Sequence, residues 1–488
     1  MKKTSCRASG ALMHISSLWG EHSCGSFGKA AFEFVDFLTD CGFSYWQTLP
    51  FCYPDEFGSP YSSYSAFSVN PWFIDLDLLA QNGLLTCEEL SSAAQNTPYE
   101  CELTRLKAER LGLLGKAAKR FAAKEKIASF CAAHPRTEDF CRFMALREAN
   151  GNAPHREWKI TEPDAETLGL WEFVCYEFFR QWTDVHIYAH SKGIEIIGDI
   201  PIYVSLESAD VWSNPGEFLL GEDGKPTEVA GVPPDYFSED GQLWGNPLYD
   251  WDKMKADGYS WWCDRMAFMC ELFDKVRIDH FRGLESYYKI AAGAENARNG
   301  VWAKGPGMDL IKALQKVCGK GRLIAEDLGV IDEKVEKLVK DSGCPGMRVM
   351  QFGFGDTPEN PHLPHNYIPE CIAYTGTHDN NTLLGYIWEL GDRERSEVLR
   401  YCGYENGYWN APDAYYAVIR TLMASVADTV IIPMQDILRY GADTRMNVPG
   451  KSEGNWRWRI KREQLCDADP VRLYEYNRLY GRLKNREE

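Results

Sequence analysis

Residues 194–202 read IEIIGDIPI. Apolar side chains fill almost every position rather than every second one, the pattern of a strand covered on both faces, as in a parallel sheet. Similar short apolar or β-branched runs, several ending in a polar cluster, lie at 11–15 (ALMHI), 45–49 (YWQTL), 275–279 (KVRID), 322–326 (RLIAE), 347–352 (MRVMQF), 372–376 (IAYTG) and 429–434 (TVIIPM). Helical patterns separate many of them. Residues 30–40 carry Phe34, Phe37 and Leu38 on one face, and 308–317 and 333–339 behave alike. Strands alternating with helices imply βαβ units. Eight such strands predict an α/β fold, a closed (β/α)8 TIM barrel, with 1–488 as a single catalytic unit.

The spacing is uneven. A long insertion after the second strand, at about 72–190, reads as a mostly helical subdomain. Within it Thr86 and Glu89 have capping-box spacing, residues 105–126 are rich in Lys and Glu, and Phe140, Phe143 and Met144 keep a helical period. A second insertion after the third strand, at about 205–258, is rich in Gly, Pro, Asp and Trp with little periodicity. A long loop of that kind in a compact protein is usually functional or disordered, and its Trp and Tyr argue against disorder.

Composition narrows the partners. The 488 residues hold 53 basic and 71 acidic side chains, a net charge of −18. An acidic chain lacks the basic stripe that nucleic acid requires and is repelled by anionic membrane surfaces. The 16 cysteines are scattered with no CxxC pair, which reads as reduced cytoplasmic thiols rather than a zinc ribbon or disulfide scaffold. Arg7 and His14 interrupt any apolar core of a signal peptide, and no window approaches a membrane span. The 16 Trp, 25 Tyr and 23 Phe provide broad flat surfaces, most of them for the core and some to line a groove for a flat ligand.

Barrel active sites sit at the C-terminal ends of the strands. There the chain places Arg277-Ile278-Asp279-His280, Ala325-Glu326-Asp327 and Thr377-His378-Asp379-Asn380-Asn381. A lone Asp after a strand is more often a helix N-cap. Three carboxylates ending three strands, two flanked by His or Arg, point to a site. Facing carboxylates are the equipment for glycosidic cleavage, one ionised to attack the anomeric carbon and one protonated to help the leaving oxygen depart. Arg277, two residues before Asp279, shares its strand face, and its charge favours an ionised Asp279. Glu326 needs a raised pKa, which nearby carboxylates can supply. Asp379 is placed to bond sugar hydroxyls, with His280 and His378 as neutral donors.

At this point the sequence resembles the 4-α-glucanotransferases of the amylomaltase type, glycoside hydrolase family 77. The resemblance rests on 34–50 (FVDFL and WQTLP), 59–71 (SPYSSYSAFSVNP), 198–204 (GDIPIYV), 208–212 (SADVW) and 230–251 (AGVPPDYFSEDGQLWGNPLYDW). It continues through 277–283 (RIDHFRG), 325–329 (AEDLG), 374–382 (YTGTHDNNT) and 445–450 (RMNVPG), nearly the whole chain. It implies Asp279 as nucleophile, Glu326 as general acid/base and Asp379 as transition-state stabiliser. It implies Arg277, His280 and His378 at the −1 subsite. Ser59, Tyr61, Asp235, Gln242, Trp244 and Asn447 match glucan-contacting positions, and Asp199 matches a short motif of the clan. The 230–251 run looks like the family's active-site lid, with Asn447 on a loop facing it. One departure is HISSLW at 14–19, followed by Glu21, His22 and Cys24 where glycines are common; it falls on the acceptor-side rim. The N-terminal starch-binding domains of some members are expected to be lacking.

The expected activity is transfer of an α-1,4-glucan segment from a donor to the 4-hydroxyl of an acceptor glucan or of glucose, with α-1,4-glucans and malto-oligosaccharides as partners and no cofactor or metal. An α-1,4-glucan hydrolase would use the same three carboxylates, and a glucan-binding protein without catalysis would not need the cluster of like charges. A metal site on His378, Asp379 and Asn380 has one histidine and no HxxxH partner, and 353–355 (GFG) is too short for a phosphate loop.

Overall fold

A computed structural model describes residues 7–234, 239–405 and 407–484. The strands, in chain order, are β1 (Ala8–Leu12), β2 (Tyr45–Gln47), β3 (Glu195–Ile200), β4 (Glu228–Val232), β5 (Gln242–Pro247), β6 (Lys275–Ile278), β7 (Ser286–Ala291), β8 (Val301–Lys304), β9 (Leu323–Ala325), β10 (Gly346–Val349), β11 (Cys371–Tyr374) and β12 (Thr429–Pro433). Eight of them form one parallel sheet in the order β10-β11-β12-β1-β2-β3-β6-β9. The two ends of that sheet meet: Ala325 N–H donates to Pro345 C=O at 3.0 Å, and Met347 N–H to the Asp327 carboxylate at 2.6 Å. The sheet thereby closes as the expected (β/α)8 barrel.

All eight expected runs are barrel strands, with one shift. The first strand is Ala8–Leu12 rather than 11–15, and Ile15 starts a 3-10 turn, Ile15–Ser17. The strand reads ASGAL, too small and polar to stand out, because its neighbours crowd it. A Cβ on Gly10 would lie 2.2 Å from Tyr45 C=O. Gly198 serves a similar end on β3, where a Cβ would meet the Phe273 ring at 2.1 Å.

Helix α1 (Lys29–Asp40) buries Phe34, Val35, Phe37 and Leu38 against β2, the amphipathic face read from the sequence. Between β2 and β3 come α2 (Leu76–Gln81), α3 (Cys87–Ser92), α4 (Leu103–Arg120), α5 (Lys124–Ala133), α6 (Pro135–Ala149) and α7 (Ala165–Ser191). The capping box at Thr86 and Glu89 forms. Helix α4 is less solvated than its charge content suggests. It buries Leu106, Leu113, Leu114 and also Arg110, whose guanidinium donates to the carbonyls of Trp72, Ile74 and His22. Three backbone acceptors satisfy that buried cation, where an unpaired one would be costly.

The stretch after β3 differs from the expected irregular loop. Strands β4 and β5 form an antiparallel hairpin, and β4 pairs with β7, which pairs with β8, giving a second sheet in the order β5-β4-β7-β8. This sheet joins segments on either side of β6 in the chain, and such non-local pairing leaves no local period to read. No described helix is long and apolar enough to cross a membrane.

Candidate active site

Barrel register brings the carboxylates together. On β3 and β6, Asp199 pairs with Arg277 and Ile200 with Ile278; on β6 and β9, Ile278 pairs with Ala325. Asp279 and Glu326 are the next residues after that last shared row, so both emerge at one height on the C-terminal rim. Asp279 N–H donates to Ile200 C=O at 3.0 Å and Glu326 N–H to Ile278 C=O at 3.2 Å, which continues the ladder beyond the strands.

Arg277 organises the floor of the cleft. It is buried, and its two terminal nitrogens donate to Asp199 at 2.6 Å and Asp279 at 2.9 Å. Tyr61 hydroxyl donates to the same Asp199 oxygen at 2.7 Å. Burial works against the Arg277 charge, but Asp199 and Asp279 outweigh it and hold the guanidinium firmly protonated. Burial, with Asp199 beside it, also pushes the Tyr61 phenol well up, so it remains a neutral donor.

The two central carboxyls are pushed apart in acidity. Burial raises Asp279 most, Arg277 opposes it, and Asp199 and Asp379 add to it, leaving the group at about 6. Its side chain is 31 % exposed to the cleft, so water relieves part of that push until a ligand displaces it. Glu326 rises to about 8: burial acts first, and the Asp279 charge second. Burial thus exceeds the neighbouring carboxylates that the sequence reading invoked. Two backbone amides pull the other way. His280 N–H donates to Glu326 Oε2 at 2.6 Å and Leu328 N–H to Oε1 at 3.0 Å. A proton shared by the pair resides on Glu326, while Asp279 is ionised.

His280 makes this geometry possible. It adopts the left-handed conformation, φ +50° and ψ +48°, an uncommon one for a side chain of this type. The turn directs its N–H at Glu326 immediately after the Asp279 carboxylate. Burial, then Arg282, drives its imidazole down to about 3, so the ring is neutral. Its buried Nε2 has no partner among the described residues.

The third carboxylate stands across the cleft. Asp379 accepts from Asn447 Nδ2 at 2.6 Å and lies 3.3 Å from His378 Nε2. Asn447 N–H also donates to His378 C=O at 3.1 Å, so the 445–450 loop is fastened to the turn after β11. His378 stacks on Tyr61, with centroids 5.1 Å apart and planes at 14°. Ser59 lies at the same wall, its N–H held by Asp55 and its hydroxyl near Tyr61 N–H. On β5, Trp244 meets His280 edge-on at 5.0 Å and 85°, and its indole N–H donates to Gln242 at 3.2 Å. It is half-buried and lines the cleft from the hairpin side. Asp235 lies outside the described residues.

Of the residues singled out by the sequence, all but Asp235 are therefore traced to one cleft or its floor. Trp302 and Trp456 are among the aromatic residues of its wall that were passed over. Trp302 on β8 is 43 % exposed, with the Arg282 guanidinium 3.9 Å over its ring. Trp456 packs on both Tyr61 and His378. Arg282 belongs to the 277–283 motif, whereas Trp302 sits in a strand that no local pattern announced.

Fold and site together define a class: a (β/α)8-barrel enzyme with the paired carboxylates of glycoside chemistry. The family model for 4-alpha-glucanotransferase, glycoside hydrolase family 77, matches residues 13–465. The chain is 41% identical to the 4-alpha-glucanotransferase of Clostridium butyricum, over 97% of this chain and 100% of that protein. It is likewise 41% identical to the one from Thermus thermophilus, over 96% and 97%. Among solved structures, amylomaltase from Streptococcus agalactiae in complex with acarbose superposes with a TM-score of 0.92 at 38% identity, over 98% of this chain and 99% of that one. The chain belongs to the 4-alpha-glucanotransferase family.

Proposed function

We propose that the protein cleaves an α-1,4-glucosidic bond of a malto-oligosaccharide or longer glucan and passes the glycosyl part to the 4-hydroxyl of a second glucan or of glucose. Asp279 attacks the anomeric carbon and forms a glycosyl ester as the bond to the leaving O4 breaks, and Glu326 gives its proton to that oxygen. In the second step Glu326 takes the proton of the acceptor hydroxyl, whose oxygen displaces Asp279. Two inversions retain the α configuration. Arg277 keeps Asp279 ionised between turnovers, Asp379 and Asn447 accept and donate to the sugar's ring hydroxyls, and the buried His280 Nε2 is free for another. Ser59, Gln242, Trp244 and Asp235 are assigned to glucan contact along the cleft.

The single observation that carries this reading is the placement of Asp279 and Glu326 at one height on the rim, the first bonded to Arg277 and the second buried beside it, and the direction of their acidities agrees with the order that the two steps require. The half-buried Trp244, edge-on to His280, supports transfer over hydrolysis by covering the intermediate from water. The chemistry asks for no cofactor. We read 1–488 as one catalytic unit, supported by a hydrophobic cluster running from Ala8 to Leu473. We also assign the protein to the cytoplasm. The described cysteines are all free, and even the close pair Cys141 and Cys175 stands 3.5 Å apart at sulfur, far beyond a disulfide bond.

The test is product sizing on maltotriose. Glucose and a ladder of chains longer than the substrate, with little net gain in reducing ends, are expected. New reducing ends without longer chains would make the protein a hydrolase.

A further inference from the structure

Residues 186–190 read HIYAH near the C-terminal end of α7, so His186 and His190 stand one turn apart on one helix face. The sequence reading weighs a zinc ribbon and a site around His378 and passes over this pair. Asp274, the residue before β6, lies against both rings. Its Oδ2 is 3.1 Å from His186 Nε2 and 2.9 Å from His190 Nε2, and its Oδ1 is also 2.9 Å from the latter. The three donor atoms all fall within 4.8 Å of one another, the one such trio among the described residues.

The shape suits an ion. In a tetrahedral site with metal–ligand bonds of about 2.0–2.1 Å, neighbouring donors stand about 3.3 Å apart. The observed 2.9 and 3.1 Å are short of that by a few tenths of an ångström, within reach of small side-chain rotations. Two histidines at i and i+4 are the spacing that helical metal sites use.

The ligands are also held from behind, as metal ligands are. Asp274 Oδ2 accepts from Ile196 N–H at 2.8 Å, and Asp274 N–H donates to Ile196 C=O at 3.0 Å, so β3 fixes the carboxylate. His186 stacks on Trp182 with planes at 11°, and the Trp182 indole is anchored on Leu272 C=O at 2.8 Å. His190 is half-exposed, which leaves water access to a fourth position.

We propose that His186, His190 and Asp274 form a binding site for one divalent transition-metal ion of the zinc class. Asp274 precedes β6 and Asp279 follows it, so the site lies at the opposite end of the barrel from the cleft. Its role is structural: the ion ties the end of α7, the last helix of the inserted segment, to the starts of β3 and β6. Residues at this end of such barrels serve stability, not chemistry.

The experiment uses the full chain, freed of metal with EDTA and alkylated at its exposed thiols, Cys87 and Cys466. Cobalt(II) titration should saturate at one equivalent, with weak visible bands and no thiolate charge transfer in the near ultraviolet. His190→Gln should weaken binding at least tenfold, while His190→Asp, which restores an oxygen ligand, should recover part of it. Zinc at about a hundredfold excess over the wild-type Kd should raise Tm by about 3 °C in the wild type and by about half that or less in His190→Gln. Transfer activity should be the same with and without metal in all three proteins. Absence of saturable binding, undiminished binding by His190→Gln, or thiolate charge-transfer bands would each overturn the proposal.

Discussion

Replacing Glu326 by Gln removes the titrating carboxyl at the centre of the site while preserving its shape, and its effect on stability should reverse sign with pH. The folded-state pKa of Glu326 lies at about 8 against 4.5 for a free Glu, raised by burial first and Asp279 second. A carboxyl raised in this way contributes stability that is complete below pH 4.5 and is lost as pH climbs to 8. The gap of about 3.5 units corresponds to roughly 5 kcal/mol at full ionisation, and linkage gives a loss of about 1 kcal/mol at pH 5, about 2 at pH 6 and about 3 at pH 7. Gln escapes this loss but brings its own. Both Glu326 oxygens accept backbone amides, from His280 and Leu328, and an amide side chain can accept from only one of them. The unpaired N–H costs about 1–2 kcal/mol at every pH. The variant should therefore lie at or below the wild type at pH 5, cross it between about pH 5 and 6, and exceed it at pH 7 and above. For a chain of this length the shift is about 1 °C per kcal/mol. Scanning calorimetry at one scan rate across pH 5–8 reads the difference. A Glu326→Gln protein less stable than wild type by a constant amount at every pH would refute the claim that the fold holds this carboxyl protonated.

Further outcomes follow from the same geometry. Asp279→Asn should lower transfer roughly 10⁴-fold or more while maltotriose still binds, measured by turnover and by calorimetric titration; near-normal turnover would remove Asp279 from its role. The pH profile of kcat/KM should be bell-shaped, with an acid limb near 6 from Asp279 and an alkaline limb near 8 from Glu326. Arg277→Lys, which cannot reach Asp199 and Asp279 together with a two-pronged head, should move the acid limb upward, and an unmoved limb would count against this pairing. Trp244→Ala should reduce transfer more than hydrolysis, seen as a larger fraction of new reducing ends from maltotriose. An unchanged ratio would make Trp244 a mere anchor of the hairpin.

The parts of the fold legible in sequence are those with a local signature. Continuous apolar runs such as residues 371–374 and 429–433 announce strands buried on both faces, and α1 shows its face through Phe34, Phe37 and Leu38. What escaped is non-local. The β4-β5-β7-β8 sheet is assembled across β6, and β1 replaces bulky residues by Gly and Ser where β2 presses close. The HIYAH pair illustrates the same limit from the other side. Its spacing is visible in the chain, but its third partner, Asp274, arrives from a different element 84 residues away.

Part of the proposed site was legible because strand parity fixes it before any register is known. Arg277 and Asp279 are two apart, hence on one face, whatever their neighbours. The register then supplies what parity cannot. Asp199 faces Arg277 across β3 and β6, so the guanidinium is divided between a buried carboxylate and the one at the rim. That division leaves Asp279 more open to the push of burial, while the share of the guanidinium it keeps holds it more acidic than Glu326, one strand over at the same height. Without Asp199, Arg277 would be free to serve Asp279 alone and would depress it further. The acid limb would fall, and the Asp279 carboxylate, held more tightly by its cation, would be a weaker nucleophile. The buried Asp199–Arg277 pair, with Tyr61 as a second donor to the same Asp199 oxygen, thus tunes the site through the barrel's register rather than by touching the bond that breaks.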